Sequence, residues 1–270
     1  MTEVITSVQN PKIKQLLALQ EKSRLRRETG LFLVEGQREL QRCIDCGYEI
    51  DSIFYCKAIC GLPVHVTTGG HSFPEKTFSG CNYFEVSEEV YRKIAYREGT
   101  EGVIAEVRVK ERKLEDLALK ENPLIVVLES VEKPGNIGAV LRTADAAGVD
   151  AVIVCDPLTD LYNPNLIRAS LGGFFSVPTV ACSSEEVIAW LKKNNIQILT
   201  AQLQDSSLYY NCDMKKATAI VMGTEATGLT DVWRKAADAH IRIPMLGKMD
   251  SLNVSVSAAI LMFEAVRQRQ

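Results

Sequence analysis

The sequence predicts an α/β protein, because uninterrupted apolar runs alternate with segments that have helical spacing. Leu124 to Leu128 is apolar throughout, as in a parallel strand that is buried on both faces. Ala151 to Cys155 and Ala219 to Met222 repeat this pattern, and helical segments lie between the runs. The alternation predicts a parallel sheet covered by helices on both sides.

Length and composition fit a globular protein without a membrane segment. The chain has 270 residues, which allows one large or two modest domains. Hydrophobic residues make up 46% and charged residues 24%, and the formal net charge is -3. No apolar run approaches the ~20 residues that span a bilayer, and the N-terminus lacks the apolar core of a signal peptide. We therefore expect a cytoplasmic protein.

The first 109 residues predict a small domain of alternating strands and helices. A helix over 10–30 begins at Pro11, which suits a first helical turn, and a helix from Val86 to Ile94 has Ser87 as its cap. The remaining expected elements are strands at Leu31–Val34, Ile50–Cys56, Pro63–Val66 and Gly102–Val109 and a helix that Gly36 opens and Gly47 ends.

A charged segment, 110–122, separates this domain from a second one over 123–270. We interpret it as a linker, because it is rich in Lys and Glu and ends at Pro123. The second domain is expected to contain strands at Leu124–Leu128, Ala151–Cys155, Pro178–Ala181, Gln197–Thr200, Ala219–Met222 and Ile241–Met245, and helices at Ile137–Ala147, Leu166–Leu171, Ser183–Trp190 and Asp231–Ala239. A last helix is expected to bury its apolar positions Val256, Ala259, Ile260, Phe263 and Val266.

Four polar loops follow predicted strands, where parallel sheets bind ligands. They are Glu129–Asn136, Thr200–Ala201, Gly223–Leu229 and Leu246–Asn253. The first contains neither a GxGxxG nor a P-loop pattern, which disfavours classical dinucleotide and NTP sites. With three histidines and no GxSxG elbow, a serine triad is also disfavoured. The residues that remain suit binding of a polar cofactor and positioning of a nucleophile that the substrate supplies.

Single residues in these loops leave alternatives open. Ser251 and Asn253 lie where the last loop meets the last helix, and either could simply cap that helix. Asn136 is expected just before its helix, and Arg142 on the second turn could hold a phosphate or form a surface salt bridge. Glu225 could accept a ligand hydroxyl or only complement a helix dipole.

Basic residues cluster near the N-terminus. Lys12, Lys14, Lys22, Arg24, Arg26 and Arg27 are opposed there only by Glu21. Such a patch can contact phosphates even in a protein with a net negative charge, and it can also be an ordinary solvated helix face.

The eight cysteines do not predict a metal site. Cys43 and Cys46, with Cys56 and Cys60, have spacings that zinc ligands can have. Cys43, however, lies at helical spacing from Leu40, and no Gly-rich knuckle surrounds either pair. We expect buried thiols that behave as small hydrophobes, and no metal or disulfide.

Three segments together resemble the SpoU/TrmH family of RNA 2′-O-ribose methyltransferases, of the SPOUT class. They are Pro134–Ala144, Val221–Leu229 and Ile243–Val256, in the order and spacing of the family. A further segment, Phe32–Leu40, resembles the substrate-binding domain of members that act on ribosomal RNA. Thr224 and Ala226 depart from the residues usual in the family's cofactor loop.

The resemblance implies a trefoil knot in the C-terminal domain, S-adenosylmethionine as cofactor, and a homodimer formed through that domain and its last helix. Knots are rare exceptions to normal chain topology. By family likeness, the catalytic residues are Arg142, Asn136, Ser251, Asn253 and Glu225; the cofactor-binding residues are Thr200, Ala201, Gly223, Ile243 and Leu252; and Arg168 holds RNA phosphate. The local charge of the basic cluster suggests further RNA contacts at Lys12, Lys22, Arg24, Arg26 and Arg27.

The implied reaction is methyl transfer to a ribose 2′-hydroxyl, with ribosomal RNA as the expected substrate because of the N-terminal domain. Two alternatives remain: a tRNA 2′-O-methyltransferase, and a non-catalytic RNA-binding or ribosome assembly factor with the same fold. Binding of the cofactor would distinguish the second alternative from an enzyme.

Overall fold

A computed structural model describes the chain except residues 1–3, 61–63, 69–70, 74–80, 97–100 and 225–226. Its contacts divide the chain into two compact units. Unit 1 comprises Met1–Lys110 and Tyr162–Phe175, and unit 2 comprises Glu111–Leu161 and Ser176–Gln270. The 162–175 segment interrupts unit 2 in sequence and belongs to unit 1 by its contacts.

The described strands are β1 (Leu31–Glu35), β2 (Ile50–Tyr55), β3 (Val64–Thr68), β4 (His71–Phe73), β5 (Asn82–Glu85), β6 (Val103–Arg108), β7 (Leu124–Glu129), β8 (Ala151–Cys155), β9 (Thr179–Cys182), β10 (Gln197–Ala201), β11 (Ser207–Leu208), β12 (Thr218–Met222) and β13 (Ala239–Arg242). Pro63, the first residue of one expected strand, lies outside the described residues.

The described α-helices are α1 (Pro11–Glu21), α2 (Ser23–Thr29), α3 (Gln37–Asp45), α4 (Lys57–Cys60), α5 (Glu88–Ile94), α6 (Pro134–Ala147), α7 (Pro164–Ala169), α8 (Gly173–Ser176), α9 (Ser184–Lys193), α10 (Asp231–Ala236) and α11 (Val254–Arg269). Among the described residues, we find no helix with the length and apolar character needed to cross a bilayer.

Unit 1 is built on a mixed sheet with the strand order β1-β6-β2-β5. β6 is antiparallel to both of its neighbours, whereas β2 and β5 are parallel. Helix α1 buries Ile13, Leu16 and Leu19 in the core of this unit. The expected single helix over 10–30 is wrong, because Lys22 has an extended backbone that separates α1 from α2.

The segment Tyr162–Phe175 joins unit 1 through aromatic packing. Phe32 of β1 lies with its ring centroid 4.8 Å from Tyr162 and 6.4 Å from Phe174. Phe175 also lies against Tyr48, at 5.2 Å between ring centroids. Ring pairs at such distances add to the free energy of burying their apolar area. The expected helix at Leu166–Leu171 is shifted, since α7 ends at Ala169 and a second short helix starts at Gly173.

Unit 2 is built on a seven-stranded parallel sheet, counted over its described residues, with the order β11-β13-β10-β12-β7-β8-β9. All residues of β7, β8 and β12 are buried, which is the physical reason for the continuous apolar runs within these strands. The expected parallel sheet is therefore confirmed. Leu114 of the charged 110–122 segment packs into the same core, so this segment belongs largely to unit 2.

The last helix buries a different face from the one that the sequence predicts. The buried apolar residues of α11 are Val254, Ala258, Leu261, Met262 and Ala265. The expected face is wrong, because Val256 and Phe263 are 48% and 47% exposed. Helix α11 is apolar on two sides, and α6 packs on the buried one. Spacing alone could not tell which side faces the core.

The end of α11 is fastened by its own side chains. The Arg269 guanidinium donates to the backbone oxygens of Met214, Asn122 and Lys216, each at 2.8 Å. Gln268 donates to the Cys212 oxygen at 3.0 Å. These bonds hold the helix to two loops of unit 2 and thereby fix where its other end lies.

Candidate active site at the carboxyl ends of the parallel strands

Four adjacent strands of unit 2, in the order β13-β10-β12-β7, run in parallel, so their carboxyl ends share one edge of the sheet. The chain leaves this edge after Arg242, Ala201, Met222 and Glu129. Three of the predicted loops lie after β7, β12 and β13, whereas Thr200–Ala201, expected as a loop, forms the last two residues of β10. We call this region the carboxyl edge.

Two asparagines from distant parts of the sequence meet at the carboxyl edge. The Asn253 amide donates to the Asn136 side-chain oxygen at 3.2 Å. Asn253 also caps α11, since its side-chain oxygen accepts from the backbone N–H of Ser255 at 3.0 Å. Asn136 lies inside the first turn of α6 and not before it, because the helix already starts at Pro134.

Ser251 does not cap α11. Its hydroxyl donates to the Asp250 carboxylate at 3.2 Å, and the residue is exposed. The alternative left open by the sequence is thus resolved, because Asn253 takes the cap and leaves the Ser251 side chain at the loop surface.

Arg142 lies on the third turn of α6 and not on the second, since the helix begins earlier than expected. Its side chain is exposed and forms no ion pair or hydrogen bond within the described part of the chain. The salt-bridge alternative therefore has no support among the described residues. Six residues of helix put Arg142 about 9 Å beyond Asn136 along the axis and about 120° around it.

The loop after β12 is a tight turn that glycine makes possible. A Cβ on Gly223 would lie 2.5 Å from the backbone carbon and oxygen of Gly228, so only glycine fits. The N–H of Gly228 donates to the Thr224 oxygen at 3.0 Å, and Gly228 has a φ of +68°. Glu225, predicted to be catalytic, lies outside the described residues, as does Ala226.

A buried carboxylate ties this loop to the end of the neighbouring strand. Glu129, the last residue of β7, is 3% exposed. It accepts from the backbone N–H of Thr230 at 2.9 Å and from the Thr230 hydroxyl at 2.6 Å. Both oxygens of one carboxylate thus hold the point where the loop enters α10.

The end of β10 carries two further polar groups. The Thr200 hydroxyl is buried and lies 2.6 Å from Nδ1 of His240 on β13. One residue beyond Ala201, the side-chain oxygen of Gln202 is buried and has no hydrogen-bond partner among the described residues. A buried acceptor without a partner is costly, so this oxygen is suited to a ligand N–H or O–H.

The last loop exposes apolar side chains. The expected strand Ile241–Met245 is wrong, because β13 is Ala239–Arg242 and Pro244 has no N–H to continue a ladder. Ile243 is half-buried, whereas Leu246 and Leu252 are 96% and 39% exposed. Exposed leucines beside polar backbone groups suit a ligand with both an apolar ring and polar edges.

Thiols at the strand ends are not nucleophiles. Burial raises the pKa of the Cys155 thiol far above its usual range. Burial also raises the pKa of the Cys182 thiol, to about 12. A neutral, buried thiol is unreactive. The described residues also contain no His, Cys, Asp and Glu group suited to hold a metal ion.

The basic cluster of unit 1 is divided between surface and interior. Lys22 and Arg27 are exposed, and exposed Arg24 pairs with Glu28 at 2.6 Å. Lys12 lies 4.0 Å from the ring centroid of Phe84. Arg26, in contrast, is 2% exposed, which contradicts its expected contact with RNA.

The buried guanidinium of Arg26 has a structural task. It donates to the Leu19 oxygen at 2.5 Å and to the Gln20 oxygen at 3.1 Å. These carbonyls belong to the last turn of α1, where helices leave acceptors without partners. Arg26 therefore fastens α2 to the end of α1.

Arg168, on α7 in unit 1, lies with its guanidinium carbon 4.9 Å from the ring centroid of Tyr96. It donates to the side-chain oxygen of Asn165 at 3.3 Å, which also accepts from the Tyr96 hydroxyl at 3.0 Å. The residue is half-buried, so its remaining donors can still reach a phosphate.

The chain that forms this site matches known protein families. A family model described as the SpoU rRNA Methylase family matches residues 123–263, more than half of the chain. The chain belongs to this SpoU family. A second model, described as an MRM3-like substrate binding domain, matches residues 10–105.

Relatives of this SpoU protein include named ribosomal RNA enzymes. It is 27% identical over 96% of its length to "23S rRNA (guanosine(2553)-2'-O)-methyltransferase RlmP" of Bacillus subtilis, covering 97% of that protein. It is 38% identical over 70% of its length to "23S rRNA (guanosine-2'-O-)-methyltransferase RlmB" of Vibrio parahaemolyticus, covering 79% of that protein.

Two solved structures align along almost the whole chain, and a third aligns with part of it. An RNA 2′-O ribose methyltransferase has a TM-score of 0.84 at 39% identity, with 99% of each chain covered. An AdoMet-bound rRNA methyltransferase from Sinorhizobium meliloti has a TM-score of 0.85 at 30% identity, with 98% of this chain and 97% of that chain covered. A structure described as "Structural insights into the 2-OH methylation of C/U34 on tRNA" aligns over 59% of this chain and 98% of that chain, with a TM-score of 0.51 at 26% identity.

Sequence reasoning missed two residues at the carboxyl edge of this SpoU protein, Glu129 and Gln202. A signal for Glu129 existed, since a carboxylate ending a continuous apolar strand needs a partner when buried. No sequence signal marks Gln202, because its importance comes from burial without a partner.

Proposed function

We propose that this protein transfers a methyl group from S-adenosylmethionine to a ribose 2′-hydroxyl of RNA, and that the RNA is ribosomal. The observation that carries the proposal is the meeting of Asn136 and Asn253 at the carboxyl edge. These residues belong to two of the three segments that resemble the family, and more than a hundred residues of chain separate them. The family match and the names of the relatives support the same reaction.

The carboxyl edge fits the proposed cofactor. The adenine and ribose of the cofactor need apolar contact and hydrogen-bond partners. The loops at this edge offer the exposed leucines Leu246 and Leu252 and the unpartnered side-chain oxygen of Gln202. We propose that Thr200, Ala201, Gly223, Ile243 and Leu252 hold it, largely through backbone groups. When bound, S-adenosylmethionine supplies an electrophilic methyl group on its sulfonium.

We propose Arg142 as the residue that orients the 2′-hydroxyl and the adjacent phosphate. A guanidinium stays protonated and can only donate, so it is poorly suited to remove a proton itself. A fixed positive charge instead eases proton loss from the hydroxyl, because it stabilises the negative charge that develops on the oxygen. The exposed position of Arg142 without a described partner leaves its donors available for this task.

The other proposed catalytic residues supply position. Asn136 and Asn253 fix each other, and Asn253 in addition fixes the start of α11, so that the last loop is held against α6. We propose that Ser251, which is exposed, and Glu225 complete the polar surroundings of the substrate ribose. Holding reactants in line supplies a large part of an enzymatic rate.

We propose that residues 1–109 and the 162–175 segment recognise RNA, with Lys12, Lys22, Arg24, Arg27 and Arg168 as contacts to phosphates. The match of residues 10–105 to a substrate binding domain supports this role. It also favours ribosomal RNA over tRNA, because the tRNA-directed neighbour covers only 59% of this chain. We also propose a cytoplasmic location, where bacterial ribosomal RNA is made and assembled.

We further propose a homodimer through the outer face of α11. Val256, Ala259, Ile260, Phe263 and Val266 form an apolar stripe that unit 2 leaves uncovered at Val256 and Phe263. A two-fold axis across such a helix would bury the same stripe from both copies. The trefoil knot implied by the family likeness remains a prediction.

The direct test uses purified protein, methyl-labelled S-adenosylmethionine and total RNA from cells that lack the gene, followed by mapping of 2′-O-methyl sites. Label at one ribosomal RNA nucleotide is the expected result. Label in tRNA would keep the reaction and change the substrate. No label in any RNA, together with no cofactor binding by calorimetry, would favour a non-catalytic RNA-binding factor.

A further inference from the structure

Unit 1 contains a cavity of its own, which none of the residues proposed for methyl transfer lines. Its volume is about 270 Å³, and it lies between the end of β1, the start of α3 and helix α7. Leu33, Ile104, Ile167 and Leu171 provide apolar walls. This volume is slightly below the ~300–1,000 Å³ of drug-sized pockets, which suits a smaller, flat group.

One wall of the unit 1 cavity consists of two planar groups. Tyr96 and Arg168 both line it, with the guanidinium 4.9 Å from the ring centroid. Asn165 holds both, because its side-chain oxygen accepts from the Tyr96 hydroxyl and from Arg168. Tyrosine rings and guanidinium planes are the groups on which proteins stack unpaired RNA bases.

Two of the three carboxylates that line the unit 1 cavity accept backbone hydrogen bonds. Glu35 accepts from the Tyr96 N–H at 3.0 Å, and Glu101 accepts from the Arg38 N–H at the start of α3 at 3.3 Å. Glu39 differs from them, since it is half-buried and makes no hydrogen bond or ion pair with any described residue. A Cβ on residue 36 would lie 2.6 Å from one carboxylate oxygen of Glu39, so glycine at this position leaves room for the Glu39 side chain.

We propose that the unit 1 cavity binds one unpaired guanine base of the RNA substrate, with Glu39 as its acceptor. An ionised carboxylate can only accept hydrogen bonds, and it has two oxygens side by side. Guanine alone among the four RNA bases presents two neighbouring donors, N1–H and the N2 amino group, on its Watson–Crick edge. The base would stack on the Tyr96–Arg168 wall, as unpaired bases do in sequence-specific RNA recognition.

The charges around the unit 1 cavity favour a base over a bare phosphate as the group inside. Three carboxylates line it against two guanidiniums, so an anion would meet net repulsion. Arg38 has an exposed side chain without a described partner, and it can pair with the phosphate that a bound nucleotide carries. This inference rests on the proposed function only in taking RNA as the ligand.

The test titrates GMP, AMP, CMP and UMP separately into the full-length protein without S-adenosylmethionine, monitored by saturation-transfer difference NMR. We expect GMP to bind in the millimolar range and at least tenfold more tightly than the other three nucleotides. Because no methyl transfer is involved, failure of the methyltransferase assay would leave this result intact, and the reverse also holds.

Variants assign the binding to the unit 1 cavity. Glu39→Gln replaces an acceptor by an amino group that faces the base donors, so GMP should bind at least tenfold more weakly, or about 1.4 kcal/mol. Tyr96→Ala should do the same, while Tyr96→Phe keeps the ring and should retain most of the binding. Glu89→Gln, on α5 of the same unit and outside the cavity, is the matched control and should change nothing.

Three results would overturn the proposal. They are no GMP binding at millimolar concentrations, equal binding of all four nucleotides, and GMP binding that Glu39→Gln leaves unchanged. Circular dichroism of each variant establishes that it is folded, and Tyr96→Phe provides a second variant that keeps the packing of the wall.

Discussion

The two units of this protein use charged and polar residues in different ways, and the sheet of each explains the difference. In unit 2 the strands run in parallel, so the loops that follow four neighbouring strands meet at one edge. In unit 1 the sheet is mixed, because β6 runs opposite to β1, β2 and β5. The basic cluster of unit 1 lies on α1 and α2 and not after strands, so strand order does not locate its side chains.

Arg26 and Arg27 show what this difference means for single residues. They are neighbours in sequence, and the basic cluster gives no reason to separate them. The structure buries Arg26 on the carbonyls of α1 and exposes Arg27. In unit 2, by contrast, Asn136 and Asn253 are far apart in sequence and in contact in space.

The largest effect should come from the carboxyl edge. We expect Arg142→Ala to lower the single-turnover rate of methyl transfer by about 100–1,000-fold, as loss of one charge-stabilising donor does. Quench-flow with labelled cofactor measures it, and RNA affinity is measured in parallel. Lys192→Ala, which removes an exposed cation at the end of α9, is the control. An unchanged rate with intact RNA binding would remove Arg142 from the mechanism.

Two glycines of unit 2 provide the next comparison. A Cβ at Gly223 would lie 2.5 Å from backbone atoms of Gly228, whereas a Cβ at Gly247 would meet nothing within 4 Å. Overpacking costs about 1–3 kcal/mol, so Gly223→Ala should weaken S-adenosylmethionine binding by up to about a hundredfold. Gly247→Ala should bind normally. Calorimetry decides, and equal affinities would mean that the loop after β12 does not form the cofactor site.

Substitution of Glu129 should have a smaller effect, and one confined to binding of the cofactor. Glu129→Gln leaves one acceptor for the two Thr230 donors, so the loop that enters α10 loses part of its anchor. We expect the KM for S-adenosylmethionine to rise by about tenfold, or 1.4 kcal/mol, while kcat stays near that of the parent. Thr230→Ser keeps both donors and should behave as the parent. A lower Tm with an unchanged KM would show a purely structural role.

The smallest effects should separate Arg26 from Arg27 in unit 1. Arg26→Ala leaves carbonyls of α1 without a donor and should cost about 1–3 kcal/mol of unfolding free energy. Arg27→Ala should leave stability unchanged, weaken RNA binding a few-fold, and reduce the magnitude of the salt slope by about 0.7–0.9. Urea unfolding and RNA binding at several salt concentrations measure these quantities. The reverse pattern would contradict the division of the basic cluster.

The sequence predicted those features that depend on periodicity and strand order. The buried strands β7, β8 and β12 and the loops after β7, β12 and β13 follow from local patterns. Local pattern left the cap of α11 open between Ser251 and Asn253, and the structure assigns it to Asn253. The buried face of α11 did not, because this helix is apolar on two sides and only packing against α6 selects one. The sequence could not single out Gln202 and Glu39 either. Both stand out because a polar group that is buried or half-buried has no described hydrogen-bond partner, and burial is a property of the folded chain.

Hydrogen exchange with and without S-adenosylmethionine tests whether the carboxyl edge of unit 2 is the cofactor site. The measurement needs only the wild-type protein and no knowledge of the RNA. We expect slower exchange in the segments that follow β10, β12 and β13, and no change in unit 1. Protection confined to unit 1, or none at saturating cofactor, would contradict it.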